Sequence, residues 1–416
     1  MFKTKLWVTL TLTLLPIFFI LAGYFTRTTF FIFLTIYGLV VLLNLAFQIL
    51  YSHINNKRNF PNNPDYLPKV SVIVPTYKEG YKSLFNSVYS LATQKYPDYE
   101  IILVDDGTPN DYSELVYKNI KNSFPKLDIT YHKFEKNKGK RQAQYYGFNI
   151  AKGDIIVTID SDTIIDKHGL FRITRPFSFK DIGAATGNCS VLNYGKNILT
   201  RLIRVRYWSA FNQERSSQGL FGCVMCVSGV FGAYRKNIID KLKNKYIVQK
   251  FMGYECTFGD DRHLSNLVLA EGYKIVYIKD AWAWTIVPET INKYLKQQLR
   301  WNKSFYREIF WNLKSIPKQH PYMSLELFLQ AVLPFFLFVN LAVGIYTGFT
   351  TSFFYFLFYL LIIFIMGELR SIYGALNTGW NDFLLFPLYS FLHIFLLIPV
   401  RFLALVSLPF NGWGTR

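Results

Sequence analysis

Acidic side chains are scarce: 27 Asp and Glu face 46 Lys and Arg, for a formal net charge of +19. An excess of this size raises the question of nucleic acid. The cations, however, are scattered and flank apolar runs instead of forming one dense tract, so no nucleic-acid partner is expected. Cysteine is scarce too, with four residues: Cys189, Cys223, Cys226 and Cys256. Cys223 and Cys226 make a lone C-x-x-C with no second ligand pair at suitable spacing, which argues against zinc and for buried free thiols. All four fall in the segment assigned below to the cytoplasm, where disulfides do not persist. Lys3 and Lys5 precede an apolar run, yet no small-residue cleavage pattern follows it and a second run comes at once. That excludes a removed signal peptide and leaves a retained helix.

What the chain does have is apolar length at both ends. Leu6 to Tyr24 and Phe30 to Tyr51 are each about the ~20 residues that cross a bilayer, and neither carries an acid. Leu325 to Tyr346 and Phe353 to Met366 read as two more spans joined by a short outside turn, and Asp382 to Phe410 as one kinked span plus an interfacial segment. Between them the chain is polar. The expected plan is two N-terminal spans (1–55), a soluble domain (56–315), and an elbow with C-terminal helices (316–416), the elbow lying at Lys314 to Tyr322 beside Pro317 and Pro321. Lys3, Lys5, Lys57 and Arg58 place the soluble domain in the cytoplasm, with anionic lipid of the plasma membrane as a partner.

Within the soluble domain, Val70 to Val74, Ile101 to Val104 and Ile155 to Ile159 are short, β-branched and bounded, as buried strands are. Leu84, Val88 and Leu91 recur at helical spacing between the first two. Alternation of this kind implies an α/β domain with a largely parallel sheet and helices on both faces. Ligands of such sheets lie beyond the carboxyl ends of the strands. Each strand end here delivers polar groups: Thr76, Tyr77 and Glu79; Asp105 and Asp106; Asp160 and Asp162. Any one loop acid is more often a turn former or helix cap. Three strand ends that agree outweigh that reading.

Asp160-Ser161-Asp162 sets two carboxylates on one loop, close enough to share a divalent cation with a diphosphate. A D-x-D alone is a weak signal; this one follows an apolar strand. Gly259-Asp260-Asp261-Arg262-His263 opens a helix through Leu264 and Leu267, where an acid can be a mere cap or, in the sharper reading for Asp261, a general base for an acceptor hydroxyl. Gln297-Gln298-Leu299-Arg300-Trp301 follows on a helix beginning near Ile291. Arg300 can pair with a leaving diphosphate and Trp301 can carry a sugar ring. Trp282, Trp284 and Trp311 suit either sugar stacking or an aromatic belt.

Three such motifs in this order, between apolar helices, resemble the processive membrane-integrated family 2 glycosyltransferases. The resemblance covers almost the whole chain and is closest to short bacterial hyaluronan synthases, with chitin and chitooligosaccharide synthases next. It rests on Val104 to Gly107, Asn137 to Gln142, Thr158 to Thr163, Leu199 to Leu202, Phe258 to Leu264, Tyr294 to Glu308, and the ending Trp413-Gly414-Thr415-Arg416. It implies a nucleotide-sugar-binding domain of GT-A type and inverting transfer with Mg²⁺ or Mn²⁺. By the same resemblance Asp105 belongs at the uracil end, with Thr76, Tyr77 and Glu79 nearby and Lys140 and Arg141 as basic nucleotide contacts. Asp160 and Asp162 would surround diphosphate and metal, and Asp260 with Asp261 would form the catalytic pair. Cys256, Gln297, Arg300 and Trp301 would frame donor and acceptor. The implied partners are UDP-GlcNAc, UDP-glucuronate and a nascent polysaccharide, handled by a single chain. Two departures bear on the polymer: Ser228-Gly229-Val230 replaces the usual Ser-Gly-Pro, and Thr285 to Thr290 is closer to synthases of pure N-acetylglucosamine polymers. A chitin-type synthase, a transferase adding one sugar to a lipid and a non-catalytic scaffold remain the alternatives.

Overall fold

The computed structural model describes residues 29–411 apart from 59, 62, 64, 65 and 313–319. The expected first span, most of the elbow and the Trp413–Arg416 ending lie outside the described residues.

The centre is an eight-stranded sheet of β1 (Val70–Thr76), β2 (Tyr99–Asp105), β3 (Asp128–Lys133), β4 (Ile155–Thr158), β5 (Ile164–Ile165), β6 (Ile182–Val191), β7 (Gly232–Arg235) and β10 (Lys274–Thr285). A two-stranded hairpin of β8 (Lys250–Phe251) and β9 (Tyr254–Glu255) stands apart. Strand order is β3-β2-β1-β4-β7-β6-β10-β5. Strands β3, β2, β1 and β4 are mutually parallel, as the sequence implies. β7 runs antiparallel to both β4 and β6, and β5 antiparallel to β10. No apolar run announces either, because one is four residues long and the other two.

All of β1 is buried, and its side chains divide between two cores. Val70, Val72 and Val74 join Ile101, Leu103, Val157 and the helix residues Leu84, Val88 and Leu91 on one face. Ile73 joins Ile102, Val104, Ile156, Ala143 and Phe148 on the other. Burial on both faces is why valine and isoleucine fall on both sides of the strand, with the buried Ser71 the one polar interruption before Pro75, its hydroxyl donating to Glu100. Truncating Ile73 would cost about 2–5 kcal/mol on this account. The helix Lys140–Ile150 presses on β1 through Gly147, where a Cβ would sit 2.6 Å from the Ile73 side chain. That close approach brings the start of the helix, Lys140 and Arg141, to the strand ends.

Four described helical segments are long and apolar enough to cross a membrane: Leu34–Lys57, Pro321–Thr350, Phe353–Thr378 and Asn381–Val406. The second and third extend past the expected spans at both ends or at the carboxyl end, and only Thr351 and Ser352 connect them. Gln48 donates to Glu326 across the first two segments at 3.1 Å. The fourth segment departs from a simple crossing. It is broken into a 3-10 turn, a short helix with Pro387 in its first turn, a π-turn, and a second short helix with Pro399 in its first turn. Asp382 at its beginning is paired with Arg201 at 2.7 Å and Arg204 at 3.4 Å on the helix Ile198–Ser209. Past its end, Arg307 of the helix Ile291–Asn312 donates through Nε to the Leu408 carbonyl at 2.9 Å. Both ends are thus fastened to helices of the central domain. The expectation for Asp382 to Phe410 is one kinked span plus an interfacial segment; the structure shows a helix broken at Pro387 and Pro399. Single cysteines at the exposed positions Leu384 and Phe410 are therefore expected to react with a membrane-impermeant maleimide from the side of the soluble domain. Labelling of Phe410→Cys from the opposite side alone would contradict this path.

Candidate active site

The parallel register places Thr76 beside Asp105 at the ends of β1 and β2. Asp105 is fully buried, and one carboxylate oxygen accepts the Thr108 amide at 2.8 Å. The Thr76 hydroxyl is likewise buried and unpartnered. The Tyr131 hydroxyl of β3 faces the Asp105 carboxylate, and burial together with that charge pushes the phenol up, so the Thr76 hydroxyl is the group at this strand end left for another partner. Tyr77 and Glu79 follow on the turn, where Lys78 is held at a φ of 51° and its amide donates to the Thr108 hydroxyl. Ser161 donates to Glu79 at 3.2 Å, drawing the β1 turn toward the D-x-D loop.

Asp106 has a different task. Its carboxylate accepts Asn137 Nδ2 at 2.8 Å and the amides of Lys138 and Gly139 at 2.7 and 2.9 Å. Burial pushes its carboxyl up, against the pull of those two amides. Gly107, at a φ of +75°, lets the loop close in, since a Cβ there would meet the Lys136 carbonyl carbon at 2.5 Å. Asp106 thus clamps the loop that presents Lys140.

Lys140 Nζ is in direct contact with Asp160 Oδ1. Gly229 roofs this ion pair: a Cβ there would lie 3.2 Å from the Lys140 ammonium and 3.4 Å from the Asp160 carboxylate. Asp162 accepts Thr285 Oγ1 of β10 at 3.2 Å. Among the described residues no group of three or more His, Cys, Asp or Glu could hold a metal by itself. The two carboxylates would therefore supply a minority of the ligands, with diphosphate and water giving the rest, a hard-oxygen set that suits Mg²⁺ or Mn²⁺.

Arg141, the next residue, pairs through Nε with Asp260 Oδ1 at 2.8 Å in an almost fully buried ion pair. Asp260 is thereby committed to structure and lies back from solvent, whereas Asp261 is half-buried and open. Gly259 initiates their helix, Asp260–Ala270, at a φ of +86°. Cys226 Sγ lies 3.5 Å from Asp261 Oδ2, and burial followed by the Asp261 charge pushes the thiol up to about 12. It therefore stays protonated and donates to that carboxylate. Gln297, Arg300 and Trp301 lie on the helix Ile291–Asn312, with Trp301 exposed and Gln297 Oε1 buried without a partner. A Cβ on Gly259 would fall 2.1 Å from Ser304 Oγ, so the two helices touch just beyond Trp301. Cys256 is buried next to Arg307, its amide donating to the Gln249 carbonyl, and burial raises its thiol. It faces the protein interior instead of the open site. All four cysteines are free.

A profile of the glycosyltransferase-like family 2 matches residues 68–304. The chain belongs to the family 2 glycosyltransferases. It is 35% identical to an N-acetylglucosaminyltransferase of Neorhizobium galegae over 85% of this chain and 81% of that one. It is 34% identical to a hyaluronan synthase of Streptococcus pyogenes serotype M3 over 92% and 90% of the two chains. A mannosyltransferase from Pyrobaculum calidifontis, solved in complex with GDP-Man and Mn²⁺, shares the fold: TM-score 0.63, 16% identity, covering 91% of this chain and 98% of that one. This glycosyltransferase thus has a GT-A-like sheet flanked by apolar helices.

Motif reading misses Asp106 as a clamp, Gly229 as a roof and Cys226 as a donor to Asp261. The doubled acid of Asp105-Asp106 is a signal for the first; the other two are bonds across distant segments and leave no local pattern. Trp311, left open by its sequence, packs on His263 at 5.0 Å between ring centroids. Replacing Asp106 with Ala strips three donors of their acceptor and is expected to cost about 2–4 kcal/mol of local stability. Hydrogen exchange at the amides of Lys138 and Gly139 should quicken and the KM for nucleotide sugar should rise. Unchanged exchange would contradict the clamp.

Proposed function

We propose that this family 2 glycosyltransferase polymerises hyaluronan from UDP-GlcNAc and UDP-glucuronate by processive, inverting transfer. In this reading a single chain works from the plasma membrane with its soluble domain in the cytoplasm. The observation that carries the reading is the half-buried Asp261 carboxylate, held on a helix that abuts the Gln297–Trp301 helix and linked through Asp260 and Arg141 to the D-x-D side. Uracil lies at Asp105 and Thr76, with Tyr77 and Glu79 beside it. Lys140 and Arg300 hold the diphosphate, while Asp160 and Asp162 face it across the cation they would share. Asp160 and Asp162 would hold Mg²⁺ or Mn²⁺, which would supply neutralisation of the charge developing on the leaving diphosphate. An acceptor sugar rests on Trp301 with Gln297 beside it. Its hydroxyl oxygen attacks the anomeric carbon from the face opposite the nucleotide, and the proton passes to Asp261. The bond between that carbon and the diphosphate oxygen breaks, and UDP leaves with the electron pair. Hydrogen bonding by Cys226 steadies the carboxylate that takes the proton. Arg141 holds the start of the base's helix through Asp260.

Export follows from solvation. A polysaccharide loses water bonds in hydrocarbon without replacement, so a polymerase that carries its own apolar helices supplies a passage between them.

The second reading is a synthase that uses UDP-GlcNAc alone. It is favoured by the Thr285-Ile286-Val287-Pro288-Glu289-Thr290 sequence and by the N-acetylglucosaminyltransferase relative. Purified enzyme with Mn²⁺ should make long polymer only when both donors are present, and hyaluronidase should digest it. Chitinase-sensitive polymer from UDP-GlcNAc alone would replace hyaluronan by the second reading. In either case Asp261→Asn is expected to lower incorporation about 10²–10⁴-fold, the range of general base catalysis. An Asp261→Asn enzyme with undiminished incorporation would remove the base assignment. Chelation of divalent metal should abolish synthesis and Mn²⁺ should restore it.

A further inference from the structure

Glu308 lies two helical turns beyond Trp301, almost fully buried, and none of the described Lys or Arg side chains pairs with it. Its Oε1 accepts Gln249 Nε2 at 2.8 Å and lies 3.0 Å from His263 Nδ1; its Oε2 accepts Asn266 Nδ2 at 2.8 Å. The three partners come from two other elements: Gln249 precedes the β8–β9 hairpin, while His263 and Asn266 are one turn apart on the base-bearing helix Asp260–Ala270. Both donors on that helix are nearly as buried as the acid. A carboxylate withdrawn from water and answered mainly by amides is expensive, and an apolar side chain would fill the same space at lower cost. Such a hub fixes geometry.

What it fixes follows from the helix period. Trp301, Ser304 and Glu308 occupy i, i+3 and i+7, one row along the helix. Ser304 touches Gly259, at the start of the base helix, and Glu308 ties the body of that helix one and two turns further on. Two contacts along one row determine both the separation and the crossing angle of the helices. Trp301 stands next in the same row, so its position relative to Asp261 is set by them.

We infer that Glu308 is a positioning residue, which holds the acceptor platform at Trp301 at working distance from the base at Asp261. The inference rests on the acceptor and base roles proposed above. It touches neither donor nor acceptor; it acts through the two helices. Misplacement of reacting groups by about 1 Å costs on the order of 10²-fold in rate. Water, which needs no platform, can still attack a bound donor when the sugar acceptor is misplaced.

The test compares sugar incorporated with UDP released for the intact enzyme and for Glu308→Ala, with folding followed by thermal unfolding in detergent. The expected result is incorporation down about 10- to 100-fold, donor KM unchanged, and UDP released per sugar incorporated rising severalfold. Glu308→Gln, which keeps an acceptor for two of the donors, should recover part of the coupling. Should Glu308→Ala fail to fold, Asn266→Ala removes one arm of the hub and is expected to shift the same ratio in the same direction by less. Equal proportional loss of incorporation and UDP release, or no change in either, overturns the inference. Failure of the underlying base assignment reads differently, since Asp261→Asn would then keep full incorporation whatever the Glu308 variants do.

Discussion

Lys140 and Arg141, adjacent in sequence, answer two acids one hundred residues apart, Asp160 and Asp260. The rest of the site hangs on this pairing. Four carboxylates from the D-x-D and the Asp260-Asp261 pair converge beyond the sheet, and their mutual repulsion would splay the loops if no cations stood between them. The Arg141 to Asp260 pair is nearly dry, so removal of one partner strands the other at about 3–5 kcal/mol. Lys140 is less enclosed and its contact with Asp160 is correspondingly easier to exchange for a ligand. One helix start therefore supplies a fixed support and an exchangeable one. Asp106 and Gly147 matter because they bring that helix start to the strand ends.

The same economy of contacts joins the domain to its apolar helices. Asp382 meets Arg201 and Arg204 on the helix Ile198–Ser209, and Arg307 meets the Leu408 carbonyl from the helix Ile291–Asn312. The second of these soluble helices also carries Gln297, Arg300 and Trp301. The helix that carries the residues proposed to bind acceptor thus also meets the last apolar segment, and the Asp260–Ala270 helix is fastened to it through Gly259, His263 and Asn266.

Much of this was legible in the sequence because it depends on local rules. Strands β1, β2 and β4 are buried on both faces and so read as β-branched runs, and the acids at their ends stand where parallel sheets bind ligands. The membrane-length helices declare themselves by apolar length. Strands β5 and β7 were not legible, being two and four residues long and paired antiparallel by the sheet around them. Nor were the tertiary bonds of Cys226, Gly229 and Glu308, each set by the meeting of segments that the sequence keeps apart. Asp260 and Asp261 look alike in sequence; only the fold gives one to Arg141 and leaves the other open. The ion pair at the start of the last apolar segment and the carbonyl contact past its end, which tie it to the domain, were likewise not legible, since they depend on segments distant in sequence.

The central claim is that synthesis and passage across the membrane occur in one chain, and sidedness in sealed proteoliposomes tests it most directly. With the soluble domain facing outward and UDP-sugars supplied outside, polymer is expected in the lumen, resistant to added hyaluronidase or chitinase until detergent opens the vesicles. Polymer that the added enzymes digest fully before detergent would contradict the account, placing the product on the side of its synthesis and leaving the apolar helices as an anchor alone.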